Sequence, residues 1–188
     1  SDAEPPSDRD SPHLAAVVGH LRQARDGLPG SVILPWQVLH PAAPGGHAPG
    51  QTAGWLGRAS EPMYVTGDPN QPRWSVPALT LLDGQSPERL QSRRSLLESL
   101  DQQQRGLLGT AATALQAQQA QAFGLLTSAV VRGAFDLNRE SVETRERYGR
   151  NIHGQCVPLA RRLIDHDVPF VAVNSHNDGP NFWDTHGN

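Results

Sequence analysis

The stretch IHGQCVPLARRLIDHDVPFVAVNSHNDGPNFWDTHGN, Ile152 to Asn188, decides how the chain is to be read. Apolar residues at Ile152, Cys156, Leu159, Ala160, Leu163 and Ile164 recur at the 3.6-residue period of a helix with one covered face. The stripe stops at Asp165-His166-Asp167, and Val168-Pro169-Phe170-Val171-Ala172-Val173 follows. A wholly apolar, β-branched run of this kind suits a strand covered on both faces, as in a parallel α/β sheet. Beyond it lie Asn174, Ser175, His176, Asn177 and Asp178, then Trp183-Asp184-Thr185-His186-Gly187-Asn188. In open α/β sheets ligands gather outside the carboxyl ends of the strands, so the function is expected in this loop.

Within the loop, Asp184 and His186 stand two residues apart. In extended chain, residues i and i+2 point the same way, so a carboxylate and an imidazole converge on one point. That pair suits zinc, manganese or a related divalent ion. Two ligands are too few to fix an ion, so at least one more has to come from elsewhere. His176 and Asp178 repeat the spacing; they either orient a metal ligand, meet a substrate anion, or form a polar surface loop. Trp183 packs under the loop or lines a pocket, and Asn174 satisfies loop backbone groups or touches substrate. Thr185 is read as a spacer that braces the motif.

Upstream, residues 1–10 are polar and Pro-bearing and read as an extended or disordered lead-in. Ser11-Pro12 offers a cap followed by Pro at the first helical position, and Leu14, Val17, Val18 and Leu21 predict a helix to about Arg25. Val32-Ile33-Leu34 is a short strand that Pro35 confines to an edge or a strand end. Residues 40–75 are a Gly/Pro-rich loop holding His40 and His47, with Trp36, Trp55, Trp74, Met63 and Tyr64 as its anchors to the body. Residues 86–132 predict a helical hairpin, its second arm striped by Leu115, Ala122, Phe123, Leu126 and Val130. In 138–150, Arg139, Arg145, Arg147 and Arg150 alternate with Glu140, Glu143 and Glu146. Glu143–Arg147 and Glu146–Arg150 have the favourable i,i+4 order of a solvated helix face. The alternative there is an anion-binding patch for a phosphate or sulfate.

Composition sets the bounds. At 188 residues the chain is long enough for one ordinary domain, and 37% apolar residues with 18 Gly and 16 Pro imply a modest core in much irregular chain. A net charge of −3 gives no electrostatic case for nucleic acid. The single cysteine, Cys156, excludes an internal disulfide and reads as a small buried hydrophobe. No apolar run reaches the ~18 residues that a membrane span needs.

The ordered segments ERLQSRRSLLESLD (88–101), AFDLNRESVETRERYG (134–149), GQCVPLARRLIDHDVPFVAVN (154–174) and WDTHGN (183–188) resemble the DUF1501 family, and GWLGRASEPMYVTGDPN (54–70) fits it more loosely. The resemblance implies a relation to the alkaline-phosphatase/sulfatase superfamily. The fold it implies is α/β: a mostly helical part of an alkaline-phosphatase-like fold, with one or two short strands of an incomplete parallel sheet. Residues 11–188 then form a partial domain, an internal fragment of a longer chain, with the remaining metal ligands in flanking parts. It further implies a metal-dependent hydrolase of phosphate or sulfate esters, a small-molecule or glycan ester as substrate, an exported or periplasmic location, and no activity in these residues alone. The contrasting expectation is a non-catalytic binding or assembly protein of the same fold, suggested by the long Gly/Pro loop, the arginines and the lack of a recognisable nucleophile.

Overall fold

A computed structural model describes residues 7–22, 25–39, 46–72, 74–76 and 122–175, with Leu79 and isolated positions between 86 and 119. Its centre is strand β1, Val32–Leu34, every residue of which is buried. β1 pairs in parallel with β2, Met63–Tyr64, on one side and with β3, Val171–Val173, on the other. The order is β2-β1-β3, so the chain is α/β with a small parallel sheet, as the sequence implies, but with three strands instead of one or two. β2 escapes the sequence because two residues have no readable alternation. Pro35 does stand at a strand end, after a cis peptide bond, yet its strand is the middle one of the described sheet.

The strand covered on both faces is β1. β3 is shorter than Val168–Val173 and only half-buried, because its outer side has no strand among the described residues. Pro169 carries no N–H for a ladder, and the pairing with β1 starts where Val32 N–H donates to the Phe170 carbonyl at 3.0 Å. Val168 is buried for another reason: it closes the end of the preceding helix.

That helix, Ile152–Asp165, is the longest whose two ends both lie among the described residues; the others so bounded are α1 (Leu14–Leu21), α2 (Ala129–Phe135) and α3 (Val142–Arg147), and it is labelled α4. Asn151 Oδ1 caps it by accepting the Gly154 N–H at 2.8 Å. At the far end Asp167, with φ of 66°, turns the chain left-handed. Asp167 N–H then donates to Ile164 O at 2.9 Å and Val168 N–H to Leu163 O at 3.0 Å. This is the Schellman closure, with Val168 packed against Leu163 in the core. The buried stripe of α4 is Gln155, Cys156, Pro158, Leu159, Arg162 and Leu163, whereas Ile164 is 49% exposed.

Other helices are displaced from their sequence-based bounds. α1 starts after His13, not Ser11, because the His13 ring supplies the cap, and it ends at Leu21. The second hairpin arm does not run unbroken to Arg132. Residues 122–127 are helical, Ser128 breaks the run, and its Oγ caps α2 by accepting from Val131 at 3.3 Å. The covered face accordingly shifts by one residue to Val131, Ala134 and Phe135, leaving Val130 44% exposed. Most of the 86–132 hairpin lies outside the described residues.

α2 and α4 pack on the sheet around a core of Val32, Leu34, Val131, Phe135, Leu159 and Leu163. Met63 and Trp74 pack against that core, and Tyr64 Oη donates to the Gln51 carbonyl at 2.6 Å, as expected of loop anchors. Trp55 does not; it is 65% exposed on a single turn of 3₁₀ helix, Gly54–Leu56. Gly54 has φ of 48° and sits so close to the Asp10 carbonyl that a Cβ there would collide with it.

Candidate functional site

Parallel pairing brings the carboxyl ends of β1 and β3 to the same edge of the sheet. Asn174, the first residue after β3, ties them together. Its N–H donates to Leu34 O at 2.7 Å and its Nδ2 to Trp36 O at 2.9 Å. Of the two roles open to Asn174, satisfying loop backbone is the one observed.

The Trp36 ring meets the His153 ring edge-on, with centroids 5.4 Å apart and planes at 86°. His153 comes from the first turn of α4. Its Nε2 is buried and has no hydrogen-bond partner among the described residues. Sequence reasoning passed over His153 because it lies inside a helix that reads as structural; the signal was an imidazole two residues after the helix cap.

Below this edge, two polar clusters fix the helices. Gln155 is wholly buried and joins α3 to α4. Its Oε1 accepts from Arg145 Nε at 2.6 Å, while its Nε2 donates to the carbonyls of Arg145 and Gly149, both at 2.8 Å. Arg145 Nη2 also donates to Pro69 O at 3.2 Å. Burial, and then the charge of Arg150, hold the Arg145 guanidinium below its ordinary pKa. In the second cluster, Glu140 takes Arg162 Nη1 at 2.8 Å and Arg161 Nη2 at 2.6 Å, and Arg162 Nη2 donates to Gly133 O at 2.7 Å. The Arg162 hydrogen bond, helped by Arg161, keeps the Glu140 carboxyl below the usual range.

These clusters revise the reading of 138–150. Among the described residues, the ion pairs of this region join Arg139 to Asp136 and Arg161 and Arg162 to Glu140, not the i,i+4 partners within α3. Arg145 is a bracket between segments, held by Gln155 and the Pro69 carbonyl instead of standing on a solvated face. The α3 helix itself buries no residue, as a solvated face should.

Cys156 is buried, and burial together with Asp68 pushes its thiol up to about 12, so no thiolate forms at neutral pH. Burial and Glu61 likewise push Tyr64 up to about 12. His47 is exposed and forms an isolated antiparallel bridge with Leu39, while His40 lies outside the described residues. A cavity of about 210 Å³ is lined by Trp74, Val76, Phe135 and Leu137 with Asp136 and Asn138, and includes none of the residues singled out in the sequence for chemistry.

Asp184, His186, His176, Asp178 and Trp183 lie outside the described residues. Among the described residues, no group of three or more His, Cys, Asp or Glu side chains is placed to hold a metal ion. No described helix is long and apolar enough to cross a membrane.

A family model described as a protein of unknown function, DUF1501, matches residues 6–188. The chain belongs to the DUF1501 family. No functionally curated protein and no solved structure matches it. For this DUF1501 chain, the site rests on its own geometry: a parallel sheet edge clamped by Asn174, with His153 beside it.

Proposed function

We propose that this DUF1501 chain forms part of an exported, metal-dependent hydrolase of phosphate or sulfate esters, of alkaline-phosphatase/sulfatase type. In this reading the chain is an internal portion that is inactive alone, and Asp184 and His186 bind a divalent ion such as zinc or manganese. One observation carries the reading. Asn174 fixes the carboxyl end of β3 to that of β1, and the sequence leaves this clamp directly into the segment bearing His176, Asp178, Asp184 and His186. Parallel sheets place ligands at that edge.

His153 fits the same reading, since its buried Nε2, without a partner among the described residues, offers an imidazole nitrogen close to the Trp36 end of the clamp. A divalent ion held by Asp184 and His186 would supply Lewis-acid polarisation of the ester oxygen and acidify a bound water. The chain's own groups do the rest. Asn174 ties the two strand ends together, and Trp36 packs edge-on against the His153 ring.

Hydrolysis of aryl phosphates and aryl sulfates by the natural full-length protein, with zinc or manganese supplied, tests the proposal. Asp184→Ala and His186→Ala are expected to abolish turnover while leaving the fold intact. Unchanged hydrolysis in both variants, or no metal-stimulated hydrolysis in the parent protein, would sink it.

A further inference from the structure

Helix α1 is capped by an imidazole. His13 Nδ1 accepts the Ala15 N–H at 3.0 Å, while the His13 backbone N–H donates to Thr52 O at 2.9 Å. An accepting Nδ1 needs its lone pair, so the ring is neutral with its proton on Nε2. Protonation would set an N–H against an N–H and a positive charge against the positive end of the helix dipole. The residues that usually cap helices, Ser, Thr, Asn and Asp, keep their acceptor throughout the physiological range. Histidine does not.

The cap holds more than one turn. Ala15 and Ala16 are wholly buried, and Gly19 lies against Gly30 just ahead of β1. The lead-in is joined to the next segment by the bond from Trp55 N–H to Asp10 O at 3.3 Å. Charged groups in the elements around His13 are few. The lead-in brings Asp8, Arg9 and Asp10, and the Asp10 carboxylate is taken by Ser7. The turn Gly54–Leu56 brings none, Arg58–Ser60 brings Arg58, and the Glu61 carboxylate is held by Ala53 N–H. Burial lowers the pKa of His13 below its ordinary value. At the other end of α1, His20 Nδ1 lies 2.9 Å from Ser60 Oγ.

We propose that His13 is a pH-sensitive latch. In mildly acidic solution its ring protonates, lets go of the Ala15 N–H, and frees the first turn of α1 and the 7–13 lead-in from the Thr52–Trp55 turn. The sign follows from linkage: with the folded pKa below the ordinary 6.5, the cap's contribution is complete above 6.5 and is lost as pH falls from there through the folded value.

The experiment is amide exchange and ring titration by NMR on the full chain between pH 8 and 5, in the wild type and in His13→Asn, which keeps an acceptor that does not titrate. The wild type should lose protection at Ala15–Val18, after correction for the intrinsic exchange rate, by about tenfold for each unit by which the ring pKa is lowered. His13→Asn should lose none, and His20→Asn should lose it as the wild type does. Equal acid loss in the wild type and His13→Asn would overturn the latch. So would a His13 ring titrating at or above 6.5, or an Ala15 amide shift that does not follow that ring, and these two readouts need no variant to fold.

Discussion

Replacing Gln155 with Leu removes three hydrogen bonds while nearly conserving volume. The bond from Arg145 is charge-assisted, at about 1.5–3 kcal/mol, and each bond to a carbonyl contributes about 1 kcal/mol. The sum is about 4 kcal/mol. Arg145 is only half-buried and regains water, so the expected loss is about 3 kcal/mol. Gln155→Glu should be no milder, although it keeps an acceptor for Arg145, because it sets a carboxylate oxygen against the Arg145 and Gly149 carbonyls. Urea unfolding followed by tryptophan fluorescence measures both, with the m-value checking that the transition is unchanged in kind. A Gln155→Leu midpoint equivalent to less than about 1 kcal/mol would refute the claim that this side chain brackets α3 to α4.

Three further outcomes follow from the same packing. Gly154→Ala should destabilise by about 2 kcal/mol or more in a urea titration, since its Cβ would run into the carbonyl oxygens of Tyr148 and Gly149. Asp167→Gly should stabilise by about 0.5–1 kcal/mol in the same assay, because a left-handed φ of 66° costs a residue with a Cβ more than it costs glycine. The pairing of Glu140 with Arg162 and Arg161 is expected to lend stability above pH 4.5 that is lost as pH falls through the lowered folded pKa, so wild-type midpoints should drop more steeply in acid than those of Glu140→Gln. Parallel acid curves for the two proteins would show that the pair contributes nothing.

Much of the scaffold can be read from residue order. The apolar triplet Val32–Leu34 and the period of 152–165 mark the central strand and its covering helix, because burial on both faces and on one face leave different patterns. What stayed hidden is the chemistry inside those patterns. Gln155 and Arg162 lie two helical turns apart on the same face as Cys156, Leu159 and Leu163, so their phase places them inside. Their polarity argues the opposite, and only distant partners, Arg145 and Glu140, resolve the conflict. The phase of α2 was misjudged by one residue because the break at Ser128 depends on its cap and on its hydroxyl donating to the Asp26 carbonyl at 3.2 Å, 102 residues away. For the site, the strand end at Asn174 was legible; its bond to Trp36 and the placing of His153 were not, since both join segments more than 100 residues apart.

The proposed function has the edge beyond Asn174 serving a divalent ion held by Asp184 and His186. Its most direct test is the metal content of the natural full-length protein, measured by elemental analysis beside Asp184→Ala and His186→Ala. The account predicts at least one equivalent of zinc, manganese or a similar ion in the parent protein and its loss in both variants. A folded parent protein without stoichiometric metal, or variants that retain it in full, would contradict the account.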